Sequence, residues 1–212
     1  DADEGLAFAL DAQGVLRDDL RIVLMSATLP GNLTQDFFAA PVIESLGRAW
    51  PVETRYLGYE PRQRLEDQVA AAIRKALYEG DGSILAFLPG VAEIQRTVDR
   101  IGPVADNVHI TPLYGALTPQ EQNEAIAPVA KGMRKVVVAT DVAESAVTIE
   151  GVRVVVDCGF ARVPRFDPGL GASRLETVRV AVANADQRRG RAGRTGPGVC
   201  YRLWREAEMR GF

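Results

Sequence analysis

Residues 135–156 read KVVVATDVAESAVTIEGVRVVV, and the two valine runs in this stretch decide the fold. Within Lys135–Ala139 and Val152–Val156, the runs Val136–Ala139 and Val154–Val156 are apolar at consecutive positions rather than at alternate ones. A strand with no polar face belongs inside a sheet covered on both sides, which is the habit of parallel sheets. Working outward, Ser83–Leu88 (SILAFL) and Val108–Leu113 (VHITPL) predict two further strands, and Val52–Leu57 reads as extended. Helices fall between them. From Arg62 to Tyr78 the positions Leu65, Val69, Ile73 and Leu77 recur every four residues, an amphipathic helix closed by Gly80. Val91–Ile101 predicts a second helix, and Pro119 opens a third that runs to about Ile126. Gly198–Trp204 predicts a last strand. The alternation predicts βαβ units: an α/β fold built on a parallel sheet with helices on both faces. Between Phe160 and Val182 it breaks around Asp167-Pro168-Gly169, which predicts a β-hairpin, and Asn184–Arg194 predicts a helix.

Upstream, Leu6, Ala7 and Leu10 predict a helix over Asp3–Leu16, and Arg21–Met25 (RIVLM) a short buried strand ending at Ser26-Ala27-Thr28. Asn32 reads as the N-cap of a short helix through Phe38. Pro41, Gly47 and Pro51 punctuate the next stretch, so the expected domain boundary lies near Gly47.

No apolar run approaches the roughly 18–20 residues that cross a bilayer, and the acidic start cannot be the basic head of a signal peptide. Cys158 and Cys200 stand apart with no CxxC pair, the pattern of free thiols in a reducing cytoplasm. His109 is the single histidine, so multi-histidine metal sites are excluded, and it reads as a strand residue. The cations are skewed: the chain holds 25 Lys and Arg, of which only Lys75, Lys131 and Lys135 are lysines. Arginine offers a planar fork of donors that matches phosphate oxygens.

In a parallel sheet, ligands meet the loops beyond the carboxyl ends of the strands. Three such places stand out: after Met25, after Ala139, and the Arg-rich turn after the hairpin. That turn, Gln187–Arg194 (QRRGRAGR), carries the strongest chemical signal. Arg191 and Arg194 are three apart and share a helical face. Gly190 and Gly193 weaken a helix by about 1 kcal/mol each relative to Ala, so the expectation is that they make room for a polyanion. Phosphoryl transfer needs positive charge on the γ-phosphate oxygens and a group to orient water, which two arginines and Gln187 would supply.

Here the sequence resembles a known family. QRRGRAGR is similar to motif VI of superfamily-2 helicases in its DEAH-box form. Ser26-Ala27-Thr28 resembles motif III, Ile84–Gly90 (ILAFLPG) motif IV and Ala139–Ile149 (ATDVAESAVTI) motif V. Leu113–Leu117 (LYGAL) resembles the loop that DEAH enzymes lay on the RNA backbone. Five motifs in order cover essentially the whole chain, and stretches such as GRAWPVETRYL and ARVPRFDP resemble a bacterial branch.

The resemblance implies a RecA-like parallel sheet with the hairpin between motifs V and VI, and an ATP-dependent RNA helicase. It implies arginine fingers at Arg191 and Arg194, with Gln187 positioning the γ-phosphate or the attacking water. Glu150 falls where the family places an acid near the ribose. Gly115, Ala116, Thr140 and Asp141 would face single-stranded RNA, and Ser26 and Thr28 would couple nucleotide state to domain closure. ATP and Mg2+ would be the cofactors of the full-length protein.

There are departures. Motif V usually reads Thr-Asn, and Asp141 puts a carboxylate where an amide could donate; the side chain either repels RNA or turns away to cap the next turn. Ile126 stands where relatives stack a Phe on a base. No lysine follows a glycine, so a P-loop is missing, as is the Asp-Glu-x-His box for Mg2+. On the resemblance, residues 1–46 are the tail of the first RecA-like domain, 47–212 are the second, and the metal ligands lie outside the chain. Alone it is then expected to be inactive. A non-catalytic RNA- or phosphate-binding module is the alternative, and a stand-alone phosphotransferase a third.

Overall fold

A computed structural model of the chain describes residues 2–25, 41, 43, 50–145, 149–169 and 171–211. It divides into two compact units, Asp1–Leu46 and Gly47–Phe212. In the first, helix α1 spans Ala2–Val15. The strand expected over Arg21–Met25 does not form: the segment is irregular, with Val23 and Met25 76% and 89% exposed. An apolar run becomes a strand only where a neighbour completes its ladder, and no described residue does so. Ser26, Thr28 and the helix expected from Asn32 lie outside the described residues.

The second unit is built on six parallel strands in the order β1-β8-β5-β2-β4-β3. They are β1 (Val52–Tyr56), β2 (Ser83–Phe87), β3 (Val108–Leu113), β4 (Arg134–Ala139), β5 (Val152–Asp157) and β8 (Gly198–Arg202). Helices α2 (Leu65–Glu79), α3 (Val91–Ile101), α4 (Pro119–Ile126), α5 (Val142–Ser145) and α6 (Val182–Gly190) connect or cover them. The valine runs behave as their composition requires. Val136, Val138, Val154 and Val156 join Val69, Ile73 and Ile94 in one core, while Val137, Val155, Leu85 and Phe87 point into a second. Alternate residues thus fill opposite faces, and the central strands have no wet side.

Local signals set the helix ends. Thr118 and Glu121 form a reciprocal capping box ahead of Pro119, and the Thr118 hydroxyl and N–H hold the Glu121 carboxyl below its usual range. At the other end of α4, the buried Lys135 ammonium donates to the carbonyls of Glu124, Ala125 and Ala127 at 3.0, 3.1 and 2.7 Å. It satisfies carbonyls that a helix end leaves without partners. Ile126 is partly buried and packs against the second core. α2 starts at Leu65, because Gln68 holds the preceding loop through the Glu60 N–H and carbonyl at 2.9 Å each.

The strands β6 (Phe160–Asp167) and β7 (Ala172–Arg179) form the expected antiparallel hairpin, turned by Asp167 accepting from the Gly169 N–H at 2.9 Å. Cys158 and Cys200 are buried, unbridged thiols, each pushed by burial to a pKa of about 12. His109 is an exposed residue of the edge strand β3. Among the described residues no helix is long and apolar enough to cross a membrane.

Candidate nucleotide and nucleic-acid site

The expected site residues separate into two groups. Gly115, Ala116, Thr140 and Asp141 lie at the carboxyl edge, in the loops that leave β3 and β4. The Thr140 N–H donates to the Leu113 carbonyl at 3.1 Å, which ties the two loops together. The carbonyls of Thr140 and Asp141 then accept from the N–H groups of Ala143 and Glu144 at 3.2 and 2.8 Å, starting α5. Among the described residues the exposed Asp141 carboxylate accepts no hydrogen bond, so it does not cap that turn. Gly115 and Ala116 are exposed, and a Cβ on Gly115 would meet nothing within 4 Å.

The Arg-rich segment is elsewhere. Its approach strand leaves the Val180 N–H bonded to the Gly159 carbonyl, beyond the carboxyl end of β5. α6 then runs back across the sheet; its 9 residues cover about 13 Å at about 1.5 Å each. It ends beside the amino ends of β1 and β8, where Arg189 donates to the Val52 carbonyl at 3.2 Å. The helix expected to reach Arg194 stops at Gly190, and Arg191–Gly193 is a 3-10 turn. Because residues three apart eclipse in such a turn, Arg191 and Arg194 still align. Gln187, four before Arg191, shares their side.

The two glycines differ in their surroundings. A Cβ on Gly193 would sit 2.6 Å from the Trp50 carbonyl oxygen and 2.8 Å from the Val52 Cγ2, while Gly190 faces open space. The Gly193 carbonyl accepts from the Trp50 N–H at 2.9 Å. Gly193 is small so that the turn can close on the chain entering β1.

Arg191 is buried and Arg194 exposed. Burial, joined by the charge of Arg194 and opposed by Glu144, lowers the Arg191 guanidinium to a pKa of about 10. Two cations held in mutual repulsion, one of them desolvated, fit a compact anion with more than one negative charge. Glu150 is exposed in the turn before β5, and its neighbour Gly151 gives its carbonyl to the Ser83 N–H at 2.9 Å. Glu150 therefore lies at the amino edge, on the side of the sheet that the Arg turn reaches. No cluster of three His, Cys, Asp or Glu able to hold a metal occurs among the described residues.

Sequence reasoning missed the centre of this region. Arg188 is 1% exposed and ion-paired to both Glu144 and Asp157 at 3.0 Å. Arg202 likewise pairs with Asp186 at 2.8 Å and lies over Trp204. One signal was available: Ala185, Arg188 and Ala192 recur at helical spacing, and all three are buried.

Residues 67–196 match the helicase conserved C-terminal domain family. The chain is 50% identical over 204 residues to the ATP-dependent RNA helicase HrpB of Escherichia coli, covering 95% of this chain and 25% of that protein. It is 38% identical over 202 residues to the pre-mRNA-splicing factor ATP-dependent RNA helicase prp22 of Schizosaccharomyces pombe, covering 92% of this chain and 17% of that one. The crystal structure of the E. coli DEAH/RHA helicase HrpB superimposes with a TM-score of 0.91 at 48% identity, over 99% of this chain and 27% of that one. The chain thus spans about a quarter of HrpB and less of prp22.

Proposed function

The chain belongs to the helicase conserved C-terminal domain family, in its DEAH/RHA branch, and from this we propose that it works as the second motor domain of an ATP-driven RNA helicase. Residues 47–212 are that domain and 1–46 the tail of the first RecA-like domain, whose remainder is the principal partner. The working compartment is the cytoplasm.

The observation that carries the reading is the Arg191–Arg194 turn. Arg191 is buried beside a second guanidinium, so water screens little of its attraction for an arriving phosphate. Charge fixed before the reaction needs no reorganisation as negative charge shifts on the phosphoryl oxygens. Arg191 and Arg194 act as arginine fingers, and Gln187, on the same side, orients the γ-phosphate or the attacking water. Glu150 faces the ribose from the amino edge. ATP with Mg2+ supplies the phosphoanhydride and the neutralising metal, whose ligands come from outside this chain. At the carboxyl edge the open backbone at Gly115 and Ala116, with the Thr140 hydroxyl, follows the RNA phosphates past Asp141. Ser26 and Thr28 couple the two domains.

In the full-length helicase, Arg191→Ala and Arg194→Ala should each lower ATP turnover by about 10³-fold, the range of arginine fingers. ATP affinity should change far less. Near-normal turnover in either variant would remove that residue from the mechanism. The non-catalytic alternative requires that both variants leave turnover intact while RNA binding weakens.

A further inference from the structure

Arg188 is the most buried charge of the Arg-rich segment, and its two carboxylate partners differ in how firmly they are held. Its Nη1 donates to Asp157 Oδ1 at 3.0 Å and to the Phe160 carbonyl at 3.3 Å, and its guanidinium lies over the Phe87 ring at 4.8 Å. Asp157 closes β5, which is paired on one side with β2 and on the other with β8. Asp157 Oδ1 also accepts from the Gly159 N–H at 2.9 Å. It cannot move without the sheet.

The second partner is of another kind. Arg188 Nε donates to Glu144 Oε2 at 3.0 Å, and the other oxygen of Glu144 accepts from the Asn184 amide. Glu144 belongs to α5, a helix of 4 residues. α5 starts from the carbonyls of Thr140 and Asp141, the loop proposed to face RNA. Glu144 thus joins that loop directly to α6, and Arg191 begins the turn that α6 feeds. The electrostatics extend further, since the Glu144 charge acts on Arg191 as well.

We propose that Glu144 and Arg188 are positioning residues through which RNA seated on the Thr140 loop sets the place of the Arg191–Arg194 turn, with Asp157 as the fixed anchor. The inference rests on the helicase reading above. Arg188 is excluded from water, so losing one carboxylate leaves charge uncompensated in a low-dielectric site. A shift of α5 therefore draws α6 along with it. With RNA absent, Asp157 and the bonds of Arg189 and Gly193 to the chain entering β1 keep α6 on the sheet and the arginines in place even without the Glu144 charge.

The test uses the full-length helicase and Glu144→Gln, which keeps size and hydrogen bonding but removes the charge. The ratio of ATP turnover with saturating single-stranded RNA to turnover without it should fall about tenfold, inside the usual range of coupling between sites. Asp157→Asn should instead lower both rates together and lower the melting temperature. A purely structural Glu144 would also reduce both rates in proportion, and that result overturns the proposal, as does unchanged RNA stimulation. Should Glu144→Gln fail to fold, Asn184→Ala removes the other partner of Glu144 from an exposed position. It should give a smaller loss of RNA stimulation alone, and intact stimulation there counts against the link. Arg194→Ala is measured in parallel. If it turns over ATP normally, the finger reading fails; if it is inactive while Glu144→Gln responds fully to RNA, only the link fails.

Discussion

The two ends of the sheet treat their small residues differently. At the carboxyl edge Gly115 looks onto open space, and the loop around it is held by backbone bonds such as Thr140 to Leu113. At the amino end Gly193 is pressed against the chain entering β1 and Arg191 beside it is buried, while Arg188 one turn earlier is buried against Asp157. The fold itself therefore dictates the residues of the Arg turn, whereas at the carboxyl edge it leaves them free. Substitutions in the Arg turn mix stability with function, and those in the Gly115 and Asp141 loops separate the two.

The largest effect should come from Arg188→Ala. Removing one member of a buried charge cluster leaves two carboxylates without their cation, at a cost of about 3–5 kcal/mol. Urea denaturation of the 212-residue chain measures it. A loss under about 1 kcal/mol, the worth of an exposed pair, would mean that Arg188 is not the hub its burial implies.

Next come two identical substitutions at opposite ends. Gly193→Ala forces a Cβ to within 2.6 Å of a backbone oxygen, which should cost about 1–3 kcal/mol as overpacking does. Gly115→Ala should change stability by less than about 0.5 kcal/mol, as surface substitutions do. The same denaturation curves decide, and equal losses at the two positions would break the contrast.

The contrast also explains what could be read from sequence. The parallel sheet was legible because β-branched runs such as Val136–Val138 and Val154–Val156 leave no polar face, and the helices because apolar residues recur at their own period. Both are local signals. Arg21–Met25 carries the same apolar composition but remains irregular, since a strand also depends on a neighbour that its own letters cannot specify. Within QRRGRAGR, Arg188 and Arg191 are the same residue type one turn apart. Only the tertiary partners Glu144 and Asp157, 44 and 31 residues away, make the first a structural ion pair. Gly193 was legible as a constraint and misread in cause, because the Trp50 carbonyl that demands it lies far away in sequence.

The smallest effect belongs to Asp141, and it tests the carboxyl edge most directly. Its carboxylate is exposed and accepts no hydrogen bond among the described residues, so removing the charge leaves the fold unchanged. If RNA follows the backbone at Gly115 and Thr140, Asp141 faces phosphates. Two like charges about 7 Å apart in water repel by about 0.6 kcal/mol, or about threefold in affinity. Asp141→Asn in the full-length helicase should therefore bind single-stranded RNA about threefold more tightly at low salt. The gain should shrink as the screening length falls from about 30 Å at 0.01 M to about 8 Å at 0.15 M. ATP affinity without RNA should stay the same, since Arg191, Arg194 and Glu150 lie toward the other end of the sheet. Titrations at two salt concentrations decide the matter. Weaker RNA binding by Asp141→Asn would mean that the carboxylate holds Thr140 in place once RNA is bound, and the carboxyl edge would then be as constrained as the Arg turn.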